Sequence, residues 1–136
     1  MKILIMGLPG SGKTYLAKRM QPLLNAAWYN ADIVREMAND WDFSPQGRIR
    51  QSLRMRNLAN FEKEHGRIVI CDFVCPTKQT KENFDPDVTI WMNTIQSGRY
   101  EDTNKMFEEP TNVSFKITEM NDNNHEMISK QILKNV

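Results

Sequence analysis

The 136-residue sequence is poor in cysteine and histidine, with two of each. Cys71 and Cys75 stand four positions apart, with no second pair and no neighbouring histidine. Neither a disulfide framework nor a zinc site is indicated, and a reducing cytoplasm is the expected compartment. No apolar run approaches the length needed to span a bilayer, so no membrane association is expected. The opening run Ile3 to Met6 breaks at Gly7, too short for a signal h-region and without a cleavage site. Charge of one sign is also missing: 18 Lys and Arg oppose 17 Asp and Glu, a net +1. That balance excludes a strongly basic nucleic-acid binder and an acidic tail, while leaving a local basic patch open. No internal repeat or low-complexity tract is present.

What remains is an ordinary globular composition, 40% apolar and 26% charged, over a length that suits one domain, residues 1–136. Strand-length apolar runs alternate with amphipathic helical stretches, the pattern of an α/β domain built on a five-stranded, largely parallel sheet with helices on both faces. Residues 2–6 and 67–73 are nearly continuous apolar runs and read as central strands. Further strands are expected near 26–29, 87–92 and 113–118. Leu16, Ala17, Met20, Leu23 and Leu24 give helical spacing over 13–24, and residues 32–38 read as a helical turn or two. A longer helix is expected over 49–64, with Leu53, Leu58 and Phe61 alongside Met55 and Ala59. Met127, Ile128, Ile132 and Leu133 mark a closing helix over 122–134. Residues 41–47 read as a polar loop, and the spacing in 96–112 predicts no regular element.

The most informative stretch is Gly7, Leu8, Pro9, Gly10, Ser11, Gly12, Lys13, Thr14, which fits the G-x-x-x-x-G-K-[ST] pattern of the P-loop directly after a buried strand and before a helix. Glycines there let backbone N–H groups wrap phosphates closely, and the following helix adds its positive end. Lys13 is expected on the β- and γ-phosphates of ATP, and Thr14 as a ligand of Mg²⁺.

In an open parallel sheet, ligands gather at the carboxyl ends of the strands. Asp32, Asp72 and Cys75 stand at such positions. Asp72 ends an apolar strand where a carboxylate can hold magnesium through water, although a helix cap or loop acid would look the same. Asp32 could equally cap the helix that follows it. Arg35, Arg48, Arg50, Arg54 and Arg56 cluster after the second strand; their planar forks suit phosphate or sulfate, and a solvated helix face is the alternative for any one of them. His65 and His125 have no partner at catalytic spacing.

These residues resemble the adenylylsulfate kinases, P-loop enzymes that phosphorylate the 3′-hydroxyl of adenylylsulfate with MgATP. GLPGSGKT is similar to the family's GLSGSGKS, and Asn30 to Arg35 to its D-G-D-N-[VI]-R. Phe43, Ser44 and Arg48 resemble G-F-S-x-x-D-R, and Phe73, Val74, Cys75, Pro76 resemble F-[IV]-S-P. The resemblance implies a nucleotide-kinase-like fold in which Asp32 assists magnesium and the acceptor hydroxyl, Arg35 and Arg48 hold the phosphosulfate, and Phe43 stacks on adenine. It also places Gln51, Phe73 and Cys75 at substrate-contacting positions. The chain departs from the family at Asn30, Ile33, Gln51 and Cys75, and most of all in a shortened lid whose basic residues are Arg99 and Lys105. A trimmed lid implies slower transfer, more hydrolysis or a larger acceptor, so kinases of nucleic-acid or nucleoside hydroxyls and a non-catalytic nucleotide-binding module stand as alternatives.

Overall fold

A computed structural model describes all 136 residues. Five strands, β1 (Lys2–Met6), β2 (Ala27–Asn30), β3 (Val69–Asp72), β4 (Val88–Met92) and β5 (Phe115–Ile117), form one sheet in the order β2-β3-β1-β4-β5. Every pairing is parallel, with Ile5 opposite Asp72 and Asn30 opposite Asp72 in the registers around β3. The expected fold class is therefore observed. Ile3, Ile5, Ile70 and Ile90 point to one face and pack with α1 (Lys13–Leu24) and α6 (Asn124–Lys134); Leu4, Met6, Val69 and Cys71 point to the other, with α3 (Pro45–Glu64) and α4 (Lys78–Phe84). Alternation along the strands thus makes two apolar layers, as burial on both faces requires. No helix is long and apolar enough to cross a membrane.

Several elements differ from the sequence expectation. Helix α3 begins at Pro45, because Ser44 accepts from the Gly47 N–H at 3.2 Å and Pro45 opens the first turn. Gly47 is required at that start: a Cβ there would lie 2.0 Å from the Asp42 carbonyl oxygen. The inward face of α3 is Arg48, Gln51, Ser52, Met55, Ala59 and Glu62, while Phe61 is 58% exposed and Leu53 and Leu58 are only partly buried. That face escapes an apolar count because its polar members are paired. Ser52 Oγ accepts from Asn83, and Glu62 accepts from Tyr29 and Arg67. In α1 and α6, Leu23, Met127 and Leu133 face outward, since the two helices pack mainly through Leu16, Met20, Ile128 and Ile132.

Two short helices lack the apolar periodicity that would announce them. One is α4, fixed by a reciprocal cap between Thr77 and Thr80. The other is α5 (Glu101–Met106), within the shortened lid. Its position is set by tertiary bonds: Asn104 holds both the N–H and the carbonyl of Gly98, and Thr103 Oγ1 accepts from Arg48 at 2.6 Å. The eight-residue α2 (Ala31–Ala38) completes the set.

Candidate functional site

The carboxyl ends of β1, β2 and β3 open into one cleft of about 1240 Å³, larger than a site for one small ligand. Its walls include Pro9, Gly10, Gly12, Lys13 and Thr14, together with Phe43, Arg48 and Phe73. Asp32, Asp72, Arg99 and Tyr100 line the same cleft.

The phosphate end follows from local sequence. Gly12 caps α1 at φ 101°, in the left-handed region, and a Cβ there would come 3.0 Å from Met120 Sδ. The loop then delivers Lys13 at the first turn of α1, where Nζ donates to the carbonyls of Gly7 at 2.9 Å and Leu8 at 3.0 Å. Burial pulls the Lys13 ammonium down to about 8, against the opposing pull of Asp72 and Asp32. Gly7 and Ser11 shape the loop from beneath; Ser11 is 1% exposed and its hydroxyl has no partner.

Asp72 ends β3 and caps no helix, since Thr77 caps the next one. Its Oδ2 accepts from the Thr14 hydroxyl at 3.0 Å, and its Oδ1 from the Trp28 indole at 2.7 Å. Asn30 Nδ2 reaches both oxygens, at 3.3 and 3.0 Å, and Thr14 Oγ1 at 3.2 Å. Burial raises the Asp72 carboxyl above the usual range, and the bonds from Trp28, Thr14 and Asn30 pull it back. Thr14 and Asp72 are an oxygen pair suited to a hard divalent cation that brings its own water and phosphate ligands. No cluster of three or more His, Cys, Asp or Glu side chains stands together as a metal cage. Asp32, the second residue of α2, is exposed on the cleft wall; it does not cap the helix, because Asn30 does so, its Oδ1 accepting from the Ile33 N–H at 3.1 Å.

Around Phe43 the expectations divide. Phe43 is 49% exposed, with the guanidinium of Arg35 4.5 Å from its ring centre and that of Arg48 at 5.3 Å. Arg48 lines the cleft without a carboxylate partner, and its buried Nε has no hydrogen bond. Burial, and then Arg35, lowers its pKa. Phe73 forms part of the wall, seated edge-on against Phe84.

Four of the expected contacts fall outside the cleft wall. Arg35 is 4% exposed and spends Nη1 on the carbonyls of Asp40 at 2.9 Å and Asp42 at 3.3 Å, bracing the segment that carries Phe43. Gln51 is buried beneath α2, bonded to the Ala31 carbonyl and to Arg54. Cys75 is 1% exposed with its sulfur 3.7 Å from Thr80 Oγ1, and burial pushes its thiol up to about 12. Lys105 points to solvent beside Glu101 at 3.5 Å. Arg50 and Arg54 tether Asp40 at 2.7 and 2.8 Å. Trp28, Trp41, Tyr100 and Thr103 were not anticipated. For Trp28 the signal was available: it sits two residues before Asn30, on the same face of an extended strand.

The sequence comparison finds a probable adenylyl-sulfate kinase of Aeropyrum pernix, 36% identical over 84 residues, which cover 55% of this chain and 44% of that relative. The chain thus spans under half the length of the curated relative it matches. Among solved structures, the APS kinase of Mycobacterium tuberculosis in complex with AMPPNP and APS superposes with a TM-score of 0.73 at 16% identity, covering 98% of this chain and 95% of that one. Shikimate kinase of Aquifex aeolicus gives 0.63 at 18% identity, covering 99% and 95%. These structural likenesses establish a P-loop kinase fold, and together with the sequence match they bear out the resemblance to adenylylsulfate kinases. A family model described as AAA domain matches residues 3–105, the span that holds the nucleotide cradle, Asp32, Asp72 and the arginines, and to that family of P-loop proteins the chain belongs.

Proposed function

We propose that the protein is an ATP-dependent kinase that moves the γ-phosphoryl group to a hydroxyl of a small molecule, and that the acceptor is adenylylsulfate through its 3′-hydroxyl. The observation that carries this reading is the one cleft lined by Pro9, Gly10, Gly12, Lys13 and Thr14 of the cradle together with Asp32, Phe43, Arg48 and Asp72. Backbone N–H groups of the cradle and the start of α1 hold the phosphates, and Lys13 turns from its carbonyl partners onto them. Thr14 and Asp72 would hold magnesium, which when bound neutralises charge on the phosphoryl oxygens. Asp32 accepts the proton of the attacking hydroxyl. Phe43 offers a face to a base, and Arg48, which has no carboxylate partner, receives the anionic phosphosulfate. Arg35 contributes by holding Phe43 in place.

A second reading, phosphorylation of a polynucleotide or nucleoside hydroxyl, draws on the exposed aromatics Trp41, Phe43 and Tyr100 at the mouth of the same cleft. The rim acids Asp32 and Asp102 oppose a polyanion there. Incubation with ATP labelled at the γ-phosphate, across adenylylsulfate, nucleosides, nucleotides and short DNA ends, decides between them. Labelled product from adenylylsulfate alone is expected; product from a DNA end or nucleoside, with none from saturating adenylylsulfate, overturns the acceptor assignment.

A further inference from the structure

Between α2 and α3, residues 39–44 form no regular element, yet the backbone around Trp41 is braced on both sides. Before it, the Asp40 carboxylate accepts from Arg50 at 2.7 and 2.9 Å and from Arg54 at 2.8 Å, and the Asp40 carbonyl accepts from Arg35 Nη1 at 2.9 Å. After it, the Asp42 carbonyl accepts from the same Arg35 nitrogen at 3.3 Å, and the Asp42 carboxylate accepts from the Ser44 N–H at 2.9 Å and from Arg50 at 3.2 Å. The indole carried between these bonds is 50% exposed and lines the cleft. A lone exposed aromatic on a protein surface is ordinary. One set in a cleft on a braced backbone is ordered before any ligand arrives, which is the condition for a binding wall.

Its neighbour Phe43 is placed differently. The two ring centres are 6.4 Å apart with planes tilted by 49°, and both rings line the cleft, so the pair makes a two-sided apolar corner. The guanidiniums of Arg35 and Arg48 lie 4.5 and 5.3 Å from the Phe43 ring centre, whereas no side-chain cation lies against the Trp41 ring. Part of the π surface of Phe43 is thus engaged by the chain itself, and that of Trp41 is open. We propose that Trp41 is a specificity-determining residue of the acceptor site, selecting an acceptor that carries a planar heteroaromatic base by stacking the base against the indole, with Phe43 as the second side of the corner. Stacking rewards any base, since every base has a π face. A non-aromatic polyol gains little from the same corner, because its hydroxyls would meet apolar carbon.

This inference rests on the reading of adenylylsulfate as the acceptor, and its test measures binding without turnover. Adenylylsulfate is titrated by calorimetry into the full chain saturated with magnesium and ADP, for the wild type, Trp41→Phe and Trp41→Leu. Trp41→Leu keeps an apolar wall and loses the π face, and is expected to weaken adenylylsulfate binding about tenfold; Trp41→Phe is expected to keep most of the affinity. ADP affinity is expected to be the same in all three proteins. A second readout needs no variant. Of the three tryptophans, Trp41 is the most exposed, with Trp28 partly buried and Trp91 6% exposed, so bound adenylylsulfate is expected to shield the wild-type emission from acrylamide. Equal adenylylsulfate affinity in the wild type and Trp41→Leu, or acrylamide quenching indifferent to bound adenylylsulfate, overturns the proposal. Loss of ADP affinity in a folded Trp41→Leu overturns it as well, since the indole would then serve the nucleotide rather than the acceptor. Should Trp41→Leu not fold, the acrylamide measurement on the wild type decides. Failure of the wild type to bind adenylylsulfate at all would instead remove the acceptor reading, and this inference with it.

Discussion

The indole N–H of Trp28 donates to Asp72 Oδ1 at 2.7 Å, across neighbouring parallel strands. The bond fixes one carboxylate oxygen and leaves the other turned toward Thr14, so an aromatic residue on the outermost strand orients an acid at the centre of the site. Trp28→Phe keeps the ring and removes the donor. It is expected to cost about 1–3 kcal/mol of stability, the usual penalty for leaving a buried charged acceptor short of a partner. Chemical denaturation checks the stability, and a magnesium titration of turnover should show a higher requirement in the variant.

Lys13 carries a pKa lowered to about 8, chiefly by burial. A lysine whose folded pKa lies below its unfolded value of 10.5 binds fewer protons when folded throughout that interval, so the unliganded protein should gain stability as pH rises from about 8 toward 10.5. Nucleotide binding has the opposite sign, because phosphates favour the charged form. ADP affinity should fall as pH rises through about 8 in the wild type, and the fall should vanish in Lys13→Met. Calorimetry at a series of pH values measures both.

The bond from Arg48 Nη2 to Thr103 Oγ1, 2.6 Å long, ties the cleft wall on α3 to α5. Thr103→Val removes the acceptor with little change of shape. Hydrogen exchange should quicken across residues 98–106 while the sheet is unaffected, and ATP hydrolysis without acceptor should rise as water gains entry. Equal exchange in the two proteins would show that α5 is held by other contacts.

Asp32 and Asp72 are expected to divide the acidic work. Asp72→Asn should raise the magnesium requirement, since it weakens the carboxylate beside Thr14. Asp32→Asn should leave that requirement unchanged and lower kcat by about 10²- to 10⁴-fold, the usual contribution of a general base. Steady-state kinetics at varied magnesium separates the two; the same response from both variants rejects the division.

Much of the site is legible in the sequence. The cradle was legible because a nucleotide's phosphates demand consecutive backbone N–H groups, which only a specific local pattern of glycines supplies between a strand and a helix. The parallel sheet was legible because burial on both faces writes continuous apolar runs such as Ile3–Met6 and Val69–Cys71. These are properties of short stretches, and the sequence alone determines them. The inward face of α3 was not, because Arg48, Gln51, Ser52 and Glu62 are accommodated by partners elsewhere in the chain and carry no apolar signature. Nor was α5, which is pinned by Arg48 and by the Asn104 loop rather than by its own periodicity. Which candidate side chains meet the cleft was likewise decided in three dimensions. Arg35 and Cys75 have the chemistry and the position along the chain, but the segment carrying Phe43 claims the first and the turn before α4 buries the second. Side-chain direction at the end of a strand depends on what packs against it, and those neighbours lie far away in sequence.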